Sequence, residues 1–199
     1  GANDIGSTFG NGGFRSAVIP LNLIEGRDME EETQGLDAII IDTDSRFDTA
    51  VEAAEKVQRA VEILKRLSCD RYFKKTCSVF RGNIGAEFDS MQKALGEKCA
   101  MVILGFPKNG RTTLEGIHYV YGEKLENSQF RKDPIHPMTT SFLPDILHQQ
   151  SEKKVGIVTF RDLDMGISHV LCKKDQLKKE CAYIVYLFLD NGRTTLHFF

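Results

Sequence analysis

The chain has 199 residues, a formal net charge of −2, 41% hydrophobic residues and 27% charged residues. Its length suits one domain or two small ones, and its composition is that of an ordinary globular protein. No apolar run reaches the roughly 18 residues of a membrane span, and no signal-peptide pattern is recognisable. The charge balance, which lacks a basic stretch, argues against nucleic acid as a partner, and we expect no membrane association.

The cysteines and histidines lack the spacings that carry metal or nucleophile chemistry. The five cysteines show no CxxC pair and no Cys/His ligand spacing, which favours a reducing compartment over a disulfide framework or a zinc site. No histidine lies at a spacing diagnostic of a nucleophilic triad, so we assign the histidines structural roles. The sequence thus predicts a cytoplasmic protein with no metal site of its own.

The first third of the chain predicts a helix and two strands. Residues 1–6 read as the turn and first helical residues that follow a strand, so we expect the first strand of the domain to be missing. Ser16–Pro20 predicts a strand. Leu36–Asp42 is a near-continuous apolar run, typical of a strand covered on both faces. It ends in a polar loop at 42–46, and ligands bind at that edge of open α/β sheets.

Two helices and a short strand are predicted next. Thr49 and Glu52 form a capping box that opens the first helix. Arg71–Lys75 indicates a short strand. The second helix is expected from Ile84 to Leu95, with Asn83 as its N-cap.

The second half alternates strands with one long helix. We expect strands at Ala100–Leu104, Val155–Phe160 and Ala182–Leu189, a helix at about Leu163–Lys179, and a strand or half-hairpin at Gly116–Gly122. This alternation predicts an α/β fold with a largely parallel sheet. The hexapeptide at 109–114 recurs at 191–196, but the flanks differ, so no repeat architecture is expected.

The segment 74–85 has the composition of an anion site. Two lysines precede a loop that carries Ser78, Arg81, Gly82 and Asn83, just where the second helix begins. A helix N-terminus offers free N–H groups, an arginine adds a bidentate clamp, and a glycine lets a ligand approach the backbone. The alternative is that Asn83 merely caps the helix while Arg81 forms a surface ion pair.

A second candidate, Gly105–Thr112, invites comparison with the phosphate-binding P-loop. Arg111 stands where the P-loop has its lysine. The planar guanidinium of arginine does not replace the compact ammonium of lysine on the phosphates. The residues that follow are β-branched and aromatic, so we do not expect them to open a helix. A loop that places Arg111 at the same sheet edge remains open.

The loop at 42–46 is a third candidate. Asp42 can accept hydrogen bonds from sugar hydroxyls, and Arg46 suits an acid group. Alternatively, Asp44 and Asp48 only shape the turn and cap the next helix.

In order along the chain, these segments resemble the N-terminal domain of the four-carbon acid sugar kinases, which phosphorylate threonate, erythronate and 3-oxo-tetronate. The resemblance covers roughly residues 1–185, leaving 186–199 as a divergent tail. The matching segments are Gly-Ala-Asn-Asp at 1–4, Asp-Thr-Asp-Ser-Arg at 42–46, Phe-Arg-Gly-Asn-Ile-Gly-Ala-Glu at 80–87, Gly-Arg-Thr-Thr at 110–113 and Asp-Pro…Pro-Met at 133–138.

The resemblance implies a three-layer Rossmann-like domain that binds the acid sugar. A separate C-terminal domain would bind ATP with a divalent metal such as Mg²⁺, and the reaction would occur between the closed domains. The residues that the resemblance places on the substrate side are Asp4, Arg46, Lys75, Ser78, Arg81, Asn83 and Arg111; Asp42 and Gly82 join them from the loop chemistry.

Three departures from the family pattern bear on activity. The opening Asp-Asp is absent, and Cys77 and Val79 stand where the family has an acid and a hydroxyl. The glycine-rich nucleotide motifs have no counterpart, so we expect this chain alone to lack kinase activity. One alternative is a degenerate or non-catalytic sugar-acid-binding remnant, and another is a P-loop NTPase. The sequence leaves open which acid is bound, which of its hydroxyls is phosphorylated and whether the chain forms a homodimer.

Overall fold

The computed structural model describes residues 1–186 and 188–189. The chain divides into two compact units, the first made of residues 1–77 and 86–96, the second of residues 78–85 and 97 onward. The predicted α/β class with parallel strands is confirmed, and the strands are distributed over three sheets. Within the described residues, no helix has both the length and the apolar character needed to cross a membrane.

The first unit contains a two-stranded parallel sheet. Its elements are α1 (Ala2–Asn11), β1 (Ser16–Pro20), α2 (Met29–Glu32), β2 (Ala38–Asp42) and α3 (Ala50–Arg66). β1 and β2 pair in parallel, with Val18 opposite Ile40. The core cluster of this unit consists of Ile19, Leu21, Ile24, Met29, Ala60 and Ile63.

The capping box predicted for α3 is confirmed. The side chain of Thr49 accepts the N–H of Glu52 at 3.3 Å, and the Glu52 carboxylate accepts the N–H of Thr49 at 2.9 Å. The strand predicted at Arg71–Lys75 is wrong, because residues 69–77 form no helix or strand. A strand requires a neighbour that shares its backbone hydrogen bonds, and no such pairing is present for this segment in the described residues.

The second unit contains a parallel and an antiparallel sheet. Helix α4 (Ile84–Leu95) begins in this unit and continues in the first. The other elements are β3 (Ala100–Ile103), β4 (Arg111–Leu114), β5 (Ile117–Val120), β6 (Glu123–Lys124), α5 (Leu143–His148), β7 (Val155–Val158), α6 (Phe160–Asp164), α7 (Ile167–Leu177), β8 (Tyr183–Tyr186) and β9 (Phe188–Leu189). The parallel sheet has the order β3-β8-β7, and the antiparallel sheet the order β6-β5-β4-β9.

Two predictions in this unit have clear outcomes. The hairpin at Gly116–Gly122 is confirmed, because β5 pairs antiparallel with β4. The single helix predicted at Leu163–Lys179 is wrong: the chain forms α6 and α7, separated at Gly166, whose φ is +92°. A residue with that φ cannot continue a right-handed helix, and glycine adopts it without strain. The second hexapeptide copy at 191–196 and residues 190–199 of the predicted tail lie outside the described residues.

Candidate functional site

The nine predicted site residues are divided between the two units. Asp4, Asp42, Arg46 and Lys75 belong to the first unit, and Ser78, Arg81, Gly82, Asn83 and Arg111 to the second. The segment 74–85, which the sequence presents as one motif, therefore contributes to both units.

Arg81 lies in a sharp turn of the second unit. Phe80 and Gly82 on either side of it have φ values of +59° and +119°. The Arg81 guanidinium donates through Nη1 to the carboxylate of Asp133. This carboxylate also accepts the backbone N–H of His136 at 2.8 Å and of Ile135 at 3.1 Å. The His136 N–H, together with the Ile135 N–H and Arg81, holds the pKa of Asp133 below its usual value, so the acid is ionised and fixes Arg81.

Arg111 opens β4 and is only 8% exposed. Its Nη1 donates to the backbone carbonyl of Asn109. The guanidinium carbon lies 4.7 Å from the ring centroid of Tyr121 and 5.9 Å from that of Phe130. In the part of the chain that the structure describes, no carboxylate pairs with Arg111.

The two arginines meet at one aromatic ring. The guanidinium carbon of Arg81 lies 5.3 Å from the centroid of the same Phe130 ring. The Nε atoms of both Arg81 and Arg111 are buried, and within the described residues neither has a hydrogen-bond partner. Buried donors of folded proteins are almost always satisfied by protein, water or ligand. The pair therefore forms a cationic site that an anion would complete.

His118 is a fully buried histidine of β5. The Thr113 hydroxyl donates to the carbonyl of Leu104 at 2.9 Å, which leaves its oxygen to accept from Nδ1 of His118, also at 2.9 Å. Burial lowers the pKa of His118 to about 4, and the charge of Arg111 acts in the same direction. The Ser78 backbone opposes this shift but makes no well-formed hydrogen bond to Nε2. His118 is therefore neutral at physiological pH.

A cavity of about 170 Å³ adjoins the Arg81 turn. Gly82 lines it, together with the segment 135–140, Gln149 and Gln150. The Gln150 side chain donates to the carbonyl of Gly82 at 3.1 Å and accepts the N–H of Gly85 at 3.0 Å. One of the free N–H groups that the sequence assigned to anion binding at the start of α4 is therefore used within the protein.

In the first unit, carboxylates of the loop after β2 make contacts within the protein. The carboxylate of Asp42 accepts the N–H of Asp44 at 3.2 Å, and Asp44 has a φ of +43°. Asp48 forms an ion pair with Lys56 at 2.6 Å. Asp42, Asp44 and Asp48 thus shape the turn and its attachment to α3, and Arg46 between them is half-buried.

The other polar groups of this unit differ in burial and in partners. Glu87 of α4 is 5% exposed, accepts the hydroxyl of Ser45, and pairs with Lys74 at 2.9 Å. Lys75 donates to the carbonyl of Thr76. Asp4 lies largely in solvent, with its carboxylate 2.9 Å from the amino group of Gly1.

The site formed by Arg81 and Arg111, here called the arginine site, includes two aromatic residues that the sequence did not reveal, Tyr121 and Phe130. Neither is part of a charged or glycine-rich motif, and both become relevant only because tertiary packing sets their rings against guanidinium groups. Val79, one of the departures from the family pattern, is 1% exposed and belongs to the core. Cys77, the other, is a half-buried free thiol.

The structure contradicts the P-loop interpretation of Gly105–Thr112. Gly105 precedes a 3-10 turn at Pro107–Asn109, and Gly110 is followed directly by strand β4. A P-loop is instead followed by a helix. Among residues 1–186 and 188–189, no group of three or more His, Cys, Asp or Glu side chains is arranged to hold a metal ion.

Comparison with known proteins identifies related chains. A family model described as "sugar-binding N-terminal domain" matches residues 1–196. A 3-oxo-tetronate kinase from Pectobacterium atrosepticum is 32% identical over 190 residues, which are 93% of this chain and 44% of that protein. Relatives of the same name from other bacteria are 30–31% identical. The chain thus spans less than half the length of the curated relatives it matches.

Two solved structures share the fold. A Haemophilus influenzae protein of a family of unknown function has a TM-score of 0.86 and 29% identity, and the match covers 96% of this chain and 47% of that one. A Bordetella bronchiseptica protein of the same family, a domain-swapped dimer with bound citrate, has a TM-score of 0.75 and 23% identity, with 96% and 46% covered.

Proposed function

The chain belongs to the family of sugar-binding N-terminal domains, and on that premise we propose that it binds a four-carbon sugar acid through Arg81 and Arg111. The acid is of the threonate, erythronate or 3-oxo-tetronate type, because relatives at about 30% identity are named 3-oxo-tetronate kinases. In this proposal the chain is the substrate-binding part of a cytoplasmic, ATP-dependent kinase.

The observation that supports the proposal best is the unpaired guanidinium of Arg111. A buried charge is costly unless a partner and hydrogen bonds compensate it. Asp133 neutralises Arg81, but Arg111 keeps a positive charge and an unused Nε–H. A carboxylate matches the planar fork of arginine with two parallel hydrogen bonds, so a sugar acid supplies both the charge and the acceptors.

The cavity next to the Arg81 turn suits the hydroxyl groups of such an acid. Its lining includes the side chains of Thr139, Thr140 and Gln149, which can donate and accept hydrogen bonds. Gly82, the neighbour of Arg81 in the chain, is part of the lining, so in this proposal the carbon chain of the acid extends from Arg81 towards these groups.

The kinase reaction belongs to the proposal for the whole protein. Phosphoryl transfer depends on positioning and charge neutralisation rather than on covalent chemistry by the protein. We assign ATP and its Mg²⁺ to a part of the enzyme outside the described residues, and no step of the transfer to a residue of this chain.

Isothermal titration calorimetry tests the proposal. Threonate, erythronate and 3-oxo-tetronate are titrated into the purified chain, with the neutral polyol erythritol as the matched control. We expect saturable binding of at least one acid and at least about ten-fold weaker binding of erythritol, because the polyol leaves the guanidinium unpaired. Equal affinity for acid and polyol would contradict the proposal. Absence of saturable binding by every acid would favour a degenerate remnant.

A further inference from the structure

Phe130 contacts both cations of the arginine site with one side chain. The guanidinium carbons of Arg81 and Arg111 lie 5.3 Å and 5.9 Å from its ring centroid, within the range of cation–π attraction. Of the two arginines, Tyr121 makes a cation–π contact with Arg111, at 4.7 Å. Phe130 is therefore the side chain that connects the two arginines.

Two guanidinium groups that share one ring repel each other, and one carboxylate, Asp133, compensates only one of them. The face of an aromatic ring carries partial negative charge, so it attracts both cations without neutralising either. Arginine suits such a contact because its guanidinium is planar and weakly hydrated. A carboxylate in this place would instead pair with the arginines and remove the charge that a ligand needs.

The backbone holds this ring in place. The carbonyl of Phe130 accepts the N–H of Asp133 at 3.2 Å and of Met138 at 3.1 Å, while its own N–H donates to the hydroxyl of Ser128 at 3.3 Å. The same turn thus fixes the ring that both arginines contact and the carboxylate that pairs with Arg81. Their relative positions are set before any ligand arrives.

We propose that Phe130 is a positioning residue that holds the Arg81 and Arg111 guanidiniums side by side and so sets the affinity for the anionic substrate. This proposal rests on the proposed function. Phe130 does not touch the reacting atoms; it acts through the two arginines. An aliphatic side chain of similar volume would fill the same space but would lack the ring face that attracts both guanidiniums.

The test compares Phe130→Leu, Phe130→Tyr and the matched control Phe160→Leu. Phe160 is also a half-buried phenylalanine of the second unit, but it packs against the cluster around Val158 rather than against arginine. Threonate is titrated into each variant by calorimetry, and thermal unfolding is recorded in parallel. We expect Phe130→Leu to bind about ten-fold more weakly than wild type, and Phe130→Tyr and Phe160→Leu to bind within about two-fold of it. If Phe130→Leu does not fold, Phe130→Met takes its place.

The outcomes separate this proposal from the one on which it rests. If wild type binds threonate and Phe130→Leu binds it equally well, or if Phe160→Leu weakens binding as much, the role of Phe130 is refuted while the proposed function stands. If wild type binds none of the four-carbon acids, both proposals fail. The positioning role is supported if the affinity for threonate falls in Phe130→Leu and stays near the wild-type value in Phe130→Tyr and Phe160→Leu. A purely structural defect would instead weaken binding in proportion to the drop in unfolding temperature.

Discussion

At the scale of single residues, His118 couples the stability of the protein to pH. Its pKa is about 4 in the folded protein and 6.5 in an unfolded chain. Between these values the unfolded state binds more protons, so the free energy of unfolding falls as the pH is lowered from 6.5 towards 4. Once the pH is below both pKa values, His118 has lowered the free energy of unfolding by about 3 kcal/mol.

The substitution His118→Gln tests this coupling. The variant lacks the titrating group, so we expect its free energy of unfolding to decline less than that of wild type between pH 6.5 and 4. Urea denaturation at a series of pH values measures both slopes, and comparing slopes removes any constant cost of the substitution. Parallel slopes for the two proteins would show that His118 does not titrate as described.

The arginine site shows what can be predicted about individual residues. Arg81 and Arg111 are recognisable because they are arginines in loops beside glycine, a combination suited to anions. Phe130 is not recognisable, because an aromatic residue in a polar segment has no spacing that reveals which cations it will contact. For the loop at 42–46 the sequence left two alternatives open, ligand binding by Asp42 and Arg46 or turn formation by Asp44 and Asp48, since carboxylates in such loops serve both ligands and backbone.

At the scale of elements, Asp162 joins the two helices that replace the expected single one. Its carboxylate accepts the N–H of Thr159 at 2.7 Å, at the start of α6, and bonds from His169 at 3.1 Å and Lys173 at 2.6 Å, both in α7. Burial alone would favour the neutral acid, but the hydrogen bonds from Lys173, Thr159 and His169 together lower the pKa of Asp162 well below 3.8. The carboxylate therefore stays charged and stabilises the junction.

We expect Asp162→Asn to lower the free energy of unfolding by about 2 kcal/mol at pH 7, because it removes the buried charged acceptor of Thr159, His169 and Lys173. A lowered folded-state pKa gives stability that is present above about pH 4 and is lost as the pH falls further. The difference from wild type should therefore shrink in acid. The control is Asp175→Asn, whose 67% exposed carboxylate should contribute less than about 0.5 kcal/mol. Equal effects of the two substitutions would disprove the role of Asp162.

Alanine substitutions at two helical glycines are expected to change the stability in opposite directions. A Cβ atom on Gly85 would lie 2.5 Å from the Cβ of Gln150 and 2.7 Å from its carbonyl oxygen, so Gly85→Ala should destabilise the protein by about 1–3 kcal/mol. A Cβ atom on Gly10 in α1 would meet nothing within 4 Å, so Gly10→Ala should stabilise it by about 0.5 kcal/mol. Chemical denaturation distinguishes the signs. A Gly85→Ala variant as stable as wild type would mean that Gln150 does not pack against α4.

Element prediction succeeds where the signal is local and fails where it depends on distant partners. The start of α3 follows from Thr49 and Glu52 alone, and the bounds of α4 from its own apolar period. Arg71–Lys75 has the composition of a strand, but a strand needs a partner that its own sequence does not specify. The break at Gly166 requires knowledge that the backbone there has a positive φ, which a lone glycine within a helical pattern does not reveal.

At the scale of the whole molecule, the first unit has one sheet and the second unit two, and each unit has a core cluster of its own. The alternation of apolar patterns predicted the α/β class, and it could not predict the division into units. The chain passes from one unit to the other after residues 77, 85 and 96. Such crossings follow from long-range packing, whereas sequence periodicity reports only the face that an element buries.

We propose that Arg81 and Arg111 together bind the acid group of the substrate. The most direct measurement is calorimetric titration of threonate into Arg111→Gln, with Arg131→Gln as a control that removes an exposed positive charge next to Phe130 in the sequence. We expect at least about ten-fold weaker binding by Arg111→Gln and a change within about two-fold for Arg131→Gln. Unchanged affinity in Arg111→Gln, or an equal loss in both variants, would contradict the proposal.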